Sequence, residues 1–168
     1  MDDVTSRLAD RLLSLQWMMA TAESCTGGLI AAHCTDLPGS SRWFERGFVS
    51  YSNAAKTDLL GVPPDVIAAE GAVSEAVARA MALGAFYRTP ARVSVAVTGI
   101  AGPDGGSADK PVGTVWLAWC IDGQVHAERQ NFGGDRQSVR QATVAWALQG
   151  LLQRLPQPPA LIPHKKHP

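Results

Sequence analysis

The chain carries no excess of charge. Fifteen basic residues offset fifteen acidic ones, so it lacks the broad positive field that draws a protein onto nucleic acid. It has no long hydrophobic run. No apolar stretch approaches the roughly 20 residues of a membrane-spanning helix, so no membrane partner is expected. Cysteine is scarce and unpaired. Cys25, Cys34 and Cys120 are odd in number and contain no CxxC spacing, which argues against a disulfide framework and against zinc. The four histidines, His33, His126, His164 and His167, have no metal-ligand spacing with one another or with a cysteine. No metal and no organic cofactor are expected. The start, Met1-Asp2-Asp3, is acidic and leads straight into a helical pattern instead of a basic and apolar leader. A cytoplasmic location follows as the default.

What remains is 168 residues, 46% hydrophobic and 18% charged, the profile of one globular domain with a real core. Val4, Leu8, Leu12 and Leu15 recur at helical spacing and predict an amphipathic first helix. Residues 17–22 read as a buried strand, and Thr26 to about Thr35 as a helix. Leu37-Pro38-Gly39-Ser40 is a turn. Phe44 to Tyr51 reads as a second strand. Ser52 can cap a short helix that Gly61 stops. Pro63-Pro64 opens another helix, running to about Glu70, and Ser74 caps a longer one. Val93 to Val97 is a compact apolar strand. The runs 112–121 and 124–132 flank Asp122-Gly123, the two-residue signal of a hairpin between antiparallel neighbours. A last helix covers Asp135 to about Leu155. Helices alternating with strands, plus one hairpin, predict an α/β protein: a three-layer α/β/α sandwich with a mixed sheet. The domain is placed at residues 1–155. The proline-rich remainder, 156–168, is expected to be disordered.

The chemistry gathers in four places. Ser24 lies in Ala22-Glu23-Ser24-Cys25-Thr26-Gly27-Gly28, a hydroxyl- and glycine-rich turn between strand and helix. Such a turn can present a serine oxygen beside free backbone N–H groups, the parts needed to attack a carbonyl and hold the resulting oxyanion. Ser24 also reads as a simple helix N-cap. Cys25 is a second nucleophile, ranked below Ser24 because no histidine stands in a local motif that would activate it. For a base, His33 falls within a helix and His126 within a strand. Lys56 is the better candidate, because a helix start and burial both favour the neutral amine. An exposed helix lysine is the plain alternative. Tyr51, at the preceding strand end, can relay a proton or simply pack.

Thr98 and the loop Gly99-Ile100-Ala101-Gly102-Pro103-Asp104-Gly105-Gly106 let backbone approach a ligand closely. The spacing is neither a Walker loop nor a dinucleotide fingerprint. Lys110 beyond it reads as solvated. Finally, Arg136 and Arg140 share one face at a helix start after Gly133-Gly134. Two cations there oppose the helix dipole unless an anion such as phosphate sits between them, or unless Asp135 and solvent offset them.

Together, the segment around Ser24, Trp43-Phe44-Glu45-Arg46-Gly47-Phe48-Val49-Ser50-Tyr51-Ser52-Asn53, Gly71-Ala72-Val73-Ser74-Glu75, and the glycine loop followed by Lys110-Pro111-Val112-Gly113-Thr114-Val115 resemble the CinA C-terminal domain family over about residues 5–155. The resemblance implies hydrolysis of nicotinamide mononucleotide to nicotinate mononucleotide and ammonia, a step of pyridine nucleotide salvage. It implies Ser24 as nucleophile, Lys56 as general base and Tyr51 in support. Substrate contacts would come from Cys25, Thr26, Gly27, Thr98, Gly99, Gly102 and Gly105, and from Arg136 or Arg140. A non-catalytic nucleotide-sensing or partner-binding domain on the same scaffold is the rival. The aromatic residues Trp43, Phe44, Trp116 and Trp119 suggest apolar surface to spare and hence a homo-oligomer.

Overall fold

Five strands form one mixed sheet in a computed structural model that describes residues 2–160. β1 (Met19–Glu23) is flanked by β2 (Phe44–Val49) and β3 (Val93–Gly99), both parallel to it. β4 (Thr114–Ile121) and β5 (Gln124–Asn131) continue the sheet antiparallel, giving the order β2-β1-β3-β4-β5. Helices α1 (Asp2–Leu15), α2 (Leu29–Thr35) and α6 (Arg136–Arg154) cover one face. Helices α3 (Asn53–Leu60), α4 (Pro64–Glu70) and α5 (Glu75–Tyr87) cover the other. The predicted α/β/α sandwich and its antiparallel hairpin are both present.

Strand alternation builds two cores. Val93, Val95 and Val97 join Leu8, Leu12, Leu148 and Leu151 on the α1/α6 side. Ala96 turns to the opposite side, with Ala22, Ala118, Met81 and Ala85. Apart from Met81 these side chains are alanines, which let α5 pack against the sheet. Gly84 lets it close further on the end of α3, because a methyl there would overlap the Leu60 carbonyl. Ser52 and Ser74 accept from Ala55 N and Val77 N as the caps predicted for α3 and α5. Asp122 (φ 50°) and Gly123 (φ 94°) make the tight hairpin turn.

Two sequence expectations change. The helix expected from Thr26 begins at Leu29, because Gly27 and Gly28 adopt left-handed φ angles of 59° and 108°. The turn after Ser24 is therefore longer than predicted. The aromatic residues taken as spare apolar surface are largely internal. Trp43 and Trp119 lie fully inside the core, while Phe44 and Trp116 are half-buried. The expectation of self-association loses that basis. The predicted disordered tail extends past residue 160, outside the described residues. No helix among the described residues is long and apolar enough to cross a membrane.

Candidate active site

The three parallel strands end at one edge of the sheet, and the pairing register decides what meets there. Glu23 pairs with Val49 on one side and Val97 on the other. The next residues, Ser24, Ser50 and Thr98, therefore emerge side by side. Ser24 N donates to Val97 O at 3.1 Å, and Ser50 N donates to Glu23 O at 2.8 Å. Beyond β2 the chain enters α3, whose fourth residue, Lys56, reaches back to the strand ends. This crevice at the carboxyl ends of parallel strands is where open α/β sheets commonly bind ligands.

Lys56 Nζ lies 3.0 Å from Ser24 Oγ, 3.1 Å from Ser50 O and 3.0 Å from Tyr51 O. The side chain is 1% exposed and forms no ion pair among the described residues. Burial in this low-dielectric setting lowers its pKa from the ordinary lysine value. A neutral amine has two N–H donors and one lone pair. The two carbonyls can only accept, so they take both N–H groups and leave the lone pair for the Ser24 O–H. The competing contact from Ser24 Oγ to Tyr51 O is 3.4 Å, long for an O–H donor. Two residues 32 positions apart thus form a pair in which the amine can receive the serine proton.

The turn that carries Ser24 is held from below by Glu23. Its buried carboxylate accepts from Thr26 Oγ1 at 2.6 Å, Ile30 N at 2.8 Å and Ala31 N at 3.0 Å. Glu23 thereby caps the start of α2, where the helix dipole favours negative charge. Sequence reading assigned Glu23 no role. The signal was the Gly27-Gly28 pair, which folds the helix start back over the preceding strand residue. Cys25 is an inert neighbour, since burial pushes its thiol up to about 12.

Around the dyad lies a cavity of about 190 Å³ whose walls include Cys25, Tyr51, Thr98, Gly99 and Arg136. Asn53 and Ala72-Val73 also line it; the sequence reading had not singled them out for the site. A larger cavity, about 460 Å³, lies between α3 and α4 and shares Asn53, but neither Ser24 nor Lys56 lines it. Ser24 and Lys56 both line the smaller one. Thr98 Oγ1 donates to Ala72 O at 2.8 Å, tying the loop before α5 to the pocket wall. The Tyr51 phenol is well exposed and accepts from Arg136 Nη2 at 3.3 Å; its bonded partner is neither Lys56 nor Ser24. Arg136 Nη1 donates to Gly102 O at 2.8 Å, so this arginine bridges the glycine loop and Tyr51 across the pocket mouth.

Thr26, Gly27, Gly102 and Gly105, all expected as substrate contacts, do not line the cavity, and neither does Arg140. Arg140 points at the nucleophile turn, with Nε 3.1 Å from Cys25 O and Nη2 3.2 Å from Thr26 O. Neither His33 nor His126 lines the pocket. Lys110, expected to be solvated, donates to Glu70 O at 2.8 Å. Among the described residues no cluster of three or more His, Cys, Asp or Glu side chains could hold a metal ion.

The family model described as CinA C-terminal domain matches residues 1–155. The chain is 54% identical over 156 residues to nicotinamide-nucleotide amidohydrolase PncC of Pseudomonas putida, covering 91% of this chain and 98% of that one. It is 53% identical over 137 residues to the protein of the same name from Escherichia coli strain K12, covering 81% and 83%. Among solved structures, a competence/damage inducible protein from Agrobacterium tumefaciens superposes with a TM-score of 0.88 at 48% identity, covering 90% of this chain and 93% of that one.

Proposed function

Because this chain belongs to the CinA C-terminal domain family, we propose that it is an amidohydrolase converting nicotinamide mononucleotide and water to nicotinate mononucleotide and ammonia. The substrate reading leans on the relatives named nicotinamide-nucleotide amidohydrolase. The reaction type leans on one observation: a buried lysine amine 3.0 Å from a serine hydroxyl, with its other neighbours both carbonyls.

In this reading neutral Lys56 takes the Ser24 proton as Oγ attacks the carboxamide carbon. Backbone N–H groups at Cys25, at Thr26 or in the Gly99–Gly106 loop receive the oxyanion. Collapse breaks the C–N bond, and the Lys56 ammonium returns its proton to departing ammonia. Water then attacks the acyl-enzyme with Lys56 again as base, releasing nicotinate mononucleotide. Both carbonyls stay bonded to the amine when it is charged, so the ammonium that forms midway is solvated in place. Tyr51 can support proton movement from the pocket mouth. Arg136, with the neighbouring loop amides, is the phosphate contact we favour, since of the two candidates, Arg136 and Arg140, it alone lines the cavity. The reaction calls for no metal or organic cofactor.

A coupled ammonia assay over a panel of nicotinamide nucleotides and nucleosides tests the proposal. We expect ammonia from nicotinamide mononucleotide in preference to its dephosphorylated nucleoside. A thermal shift with nucleotide but no ammonia would favour the non-catalytic binding domain instead.

A further inference from the structure

Arg140 was one of two candidates, with Arg136, for the phosphate contact, but its position suits a different task. It stands one turn into α6, half-buried, with no carboxylate partner among the described residues. Its guanidinium donates to two successive backbone carbonyls, Cys25 O and Thr26 O, across 115 and 114 positions of sequence. The Cβ position of Gly27 lies 3.5 Å from Nη2, in van der Waals reach of the guanidinium, and its φ of 59° favours glycine there.

A trans peptide is planar, and its N–H points opposite to its C=O. Holding the Cys25 carbonyl toward α6 therefore turns the Thr26 N–H away from α6. Among the described residues the Cys25 and Thr26 amides donate to no backbone or side-chain acceptor of another residue. Gly27 N is already taken by Ser24 O at 3.0 Å. The guanidinium thus fixes the Cys25–Thr26 peptide plane, whose Thr26 N–H is free, and the Thr26–Gly27 plane, whose N–H closes the turn onto Ser24 O, while Glu23 fixes the same turn from the sheet side.

We infer that Arg140 is a positioning residue, which locks the turn carrying Ser24 and its neighbouring amides by gripping the Cys25 and Thr26 carbonyls, and that it is not a ligand for the substrate phosphate. The inference rests on the amidohydrolase reading for its substrate but not for its geometry. Lysine cannot replace it fully, because a single ammonium lacks the planar fork that reaches two adjacent carbonyls.

The test pairs Arg140→Ala and Arg140→Lys with Arg136→Ala. For Arg140→Ala we expect kcat on nicotinamide mononucleotide to fall about 10- to 100-fold, the scale of a misaligned nucleophile or oxyanion donor. KM should stay within about twofold, since ground-state binding is untouched. The preference for the nucleotide over its dephosphorylated nucleoside should persist in Arg140→Ala and shrink in Arg136→Ala. Added ethylguanidinium should restore part of the lost kcat of Arg140→Ala. Arg140→Lys should fall between Arg140→Ala and wild type. A substrate-independent readout runs alongside: the rate at which a fluorophosphonate labels Ser24, followed by intact mass. It should slow in Arg140→Ala. Wild-type labelling of Arg140→Ala, or a loss confined to KM for the phosphorylated substrate, overturns the inference. If Arg140→Ala does not fold, Arg140→Lys decides: wild-type kcat and labelling overturn it, and a fall in both supports it. A wild-type protein that releases no ammonia yet shows Arg140-dependent labelling would sink the substrate assignment and leave this inference standing.

Discussion

Removing the Glu23 carboxylate should cost far more than a typical point change. The side chain is 1% exposed and accepts three hydrogen bonds, two from the first amides of α2 and one from Thr26. A hydrogen bond to a charged group contributes about 1.5–3 kcal/mol. Three taken at face value exceed about 4 kcal/mol, but water entering the vacated space recovers part. We therefore expect Glu23→Ala to lose about 3–5 kcal/mol, a large share of the roughly 5–15 kcal/mol available to such a domain. At this size that corresponds to a fall in Tm of about 6–20 °C. Glu23→Gln keeps an oxygen for Thr26 and Ile30 but sets an NH₂ group against the Ala31 N–H. Its loss should be smaller, about 1–3 kcal/mol. Urea titration followed by circular dichroism measures both, with an unchanged m-value confirming that the same surface unfolds. Glu23→Ala within about 1 kcal/mol of wild type would refute the reasoning, because the three donors would then be shown to need no acceptor.

Lys56 has its pKa lowered by burial, so the proton needed for inactivity binds less readily than on a free lysine. kcat/KM should rise with pH through an inflection below 10.5, and a profile that keeps climbing to that value would contradict a buried base. The same depression makes the folded state bind fewer protons than the unfolded chain between the two pKa values. Stability from this group should therefore increase with pH across that window, and the increase should vanish in Lys56→Met. Cys25, with its thiol pushed up to about 12, should resist alkylation at pH 8. Cys25→Ala should keep kcat within about threefold of wild type; a loss matching that of Ser24→Ala would make the thiol the nucleophile. Gly84→Ala should destabilise by about 1–3 kcal/mol, since the new methyl meets the Leu60 carbonyl. A gain in Tm would mean that α5 can shift outward freely.

Local signals in the sequence carried most of the fold. The spacing of Val4, Leu8, Leu12 and Leu15, the Ser52 and Ser74 caps and the Asp122-Gly123 turn are each decided within a few residues. They reappear with nearly the same boundaries. The meeting of Ser24 and Lys56 was legible because they follow strands that pair in parallel, so two local motifs meet through one register, Glu23 with Val49. Contacts between layers left no such trace. Glu23 looked like an ordinary polar strand end until the Gly27-Gly28 turn laid α2 over it. Arg140 shares a helix face with Arg136, which spacing reveals, but the approach of α6 to the nucleophile turn depends on the packing of the whole α1/α6 layer. Trp43 and Trp119 are large enough to serve either a surface or a core, and composition alone does not choose between them.

Ammonia release from nicotinamide mononucleotide by wild type and Ser24→Ala, with nucleotide binding followed by thermal shift, tests the central claim most directly. Ser24→Ala should bind nucleotide and release ammonia at least about 10³-fold more slowly than wild type. Turnover by Ser24→Ala at the wild-type rate would contradict the account.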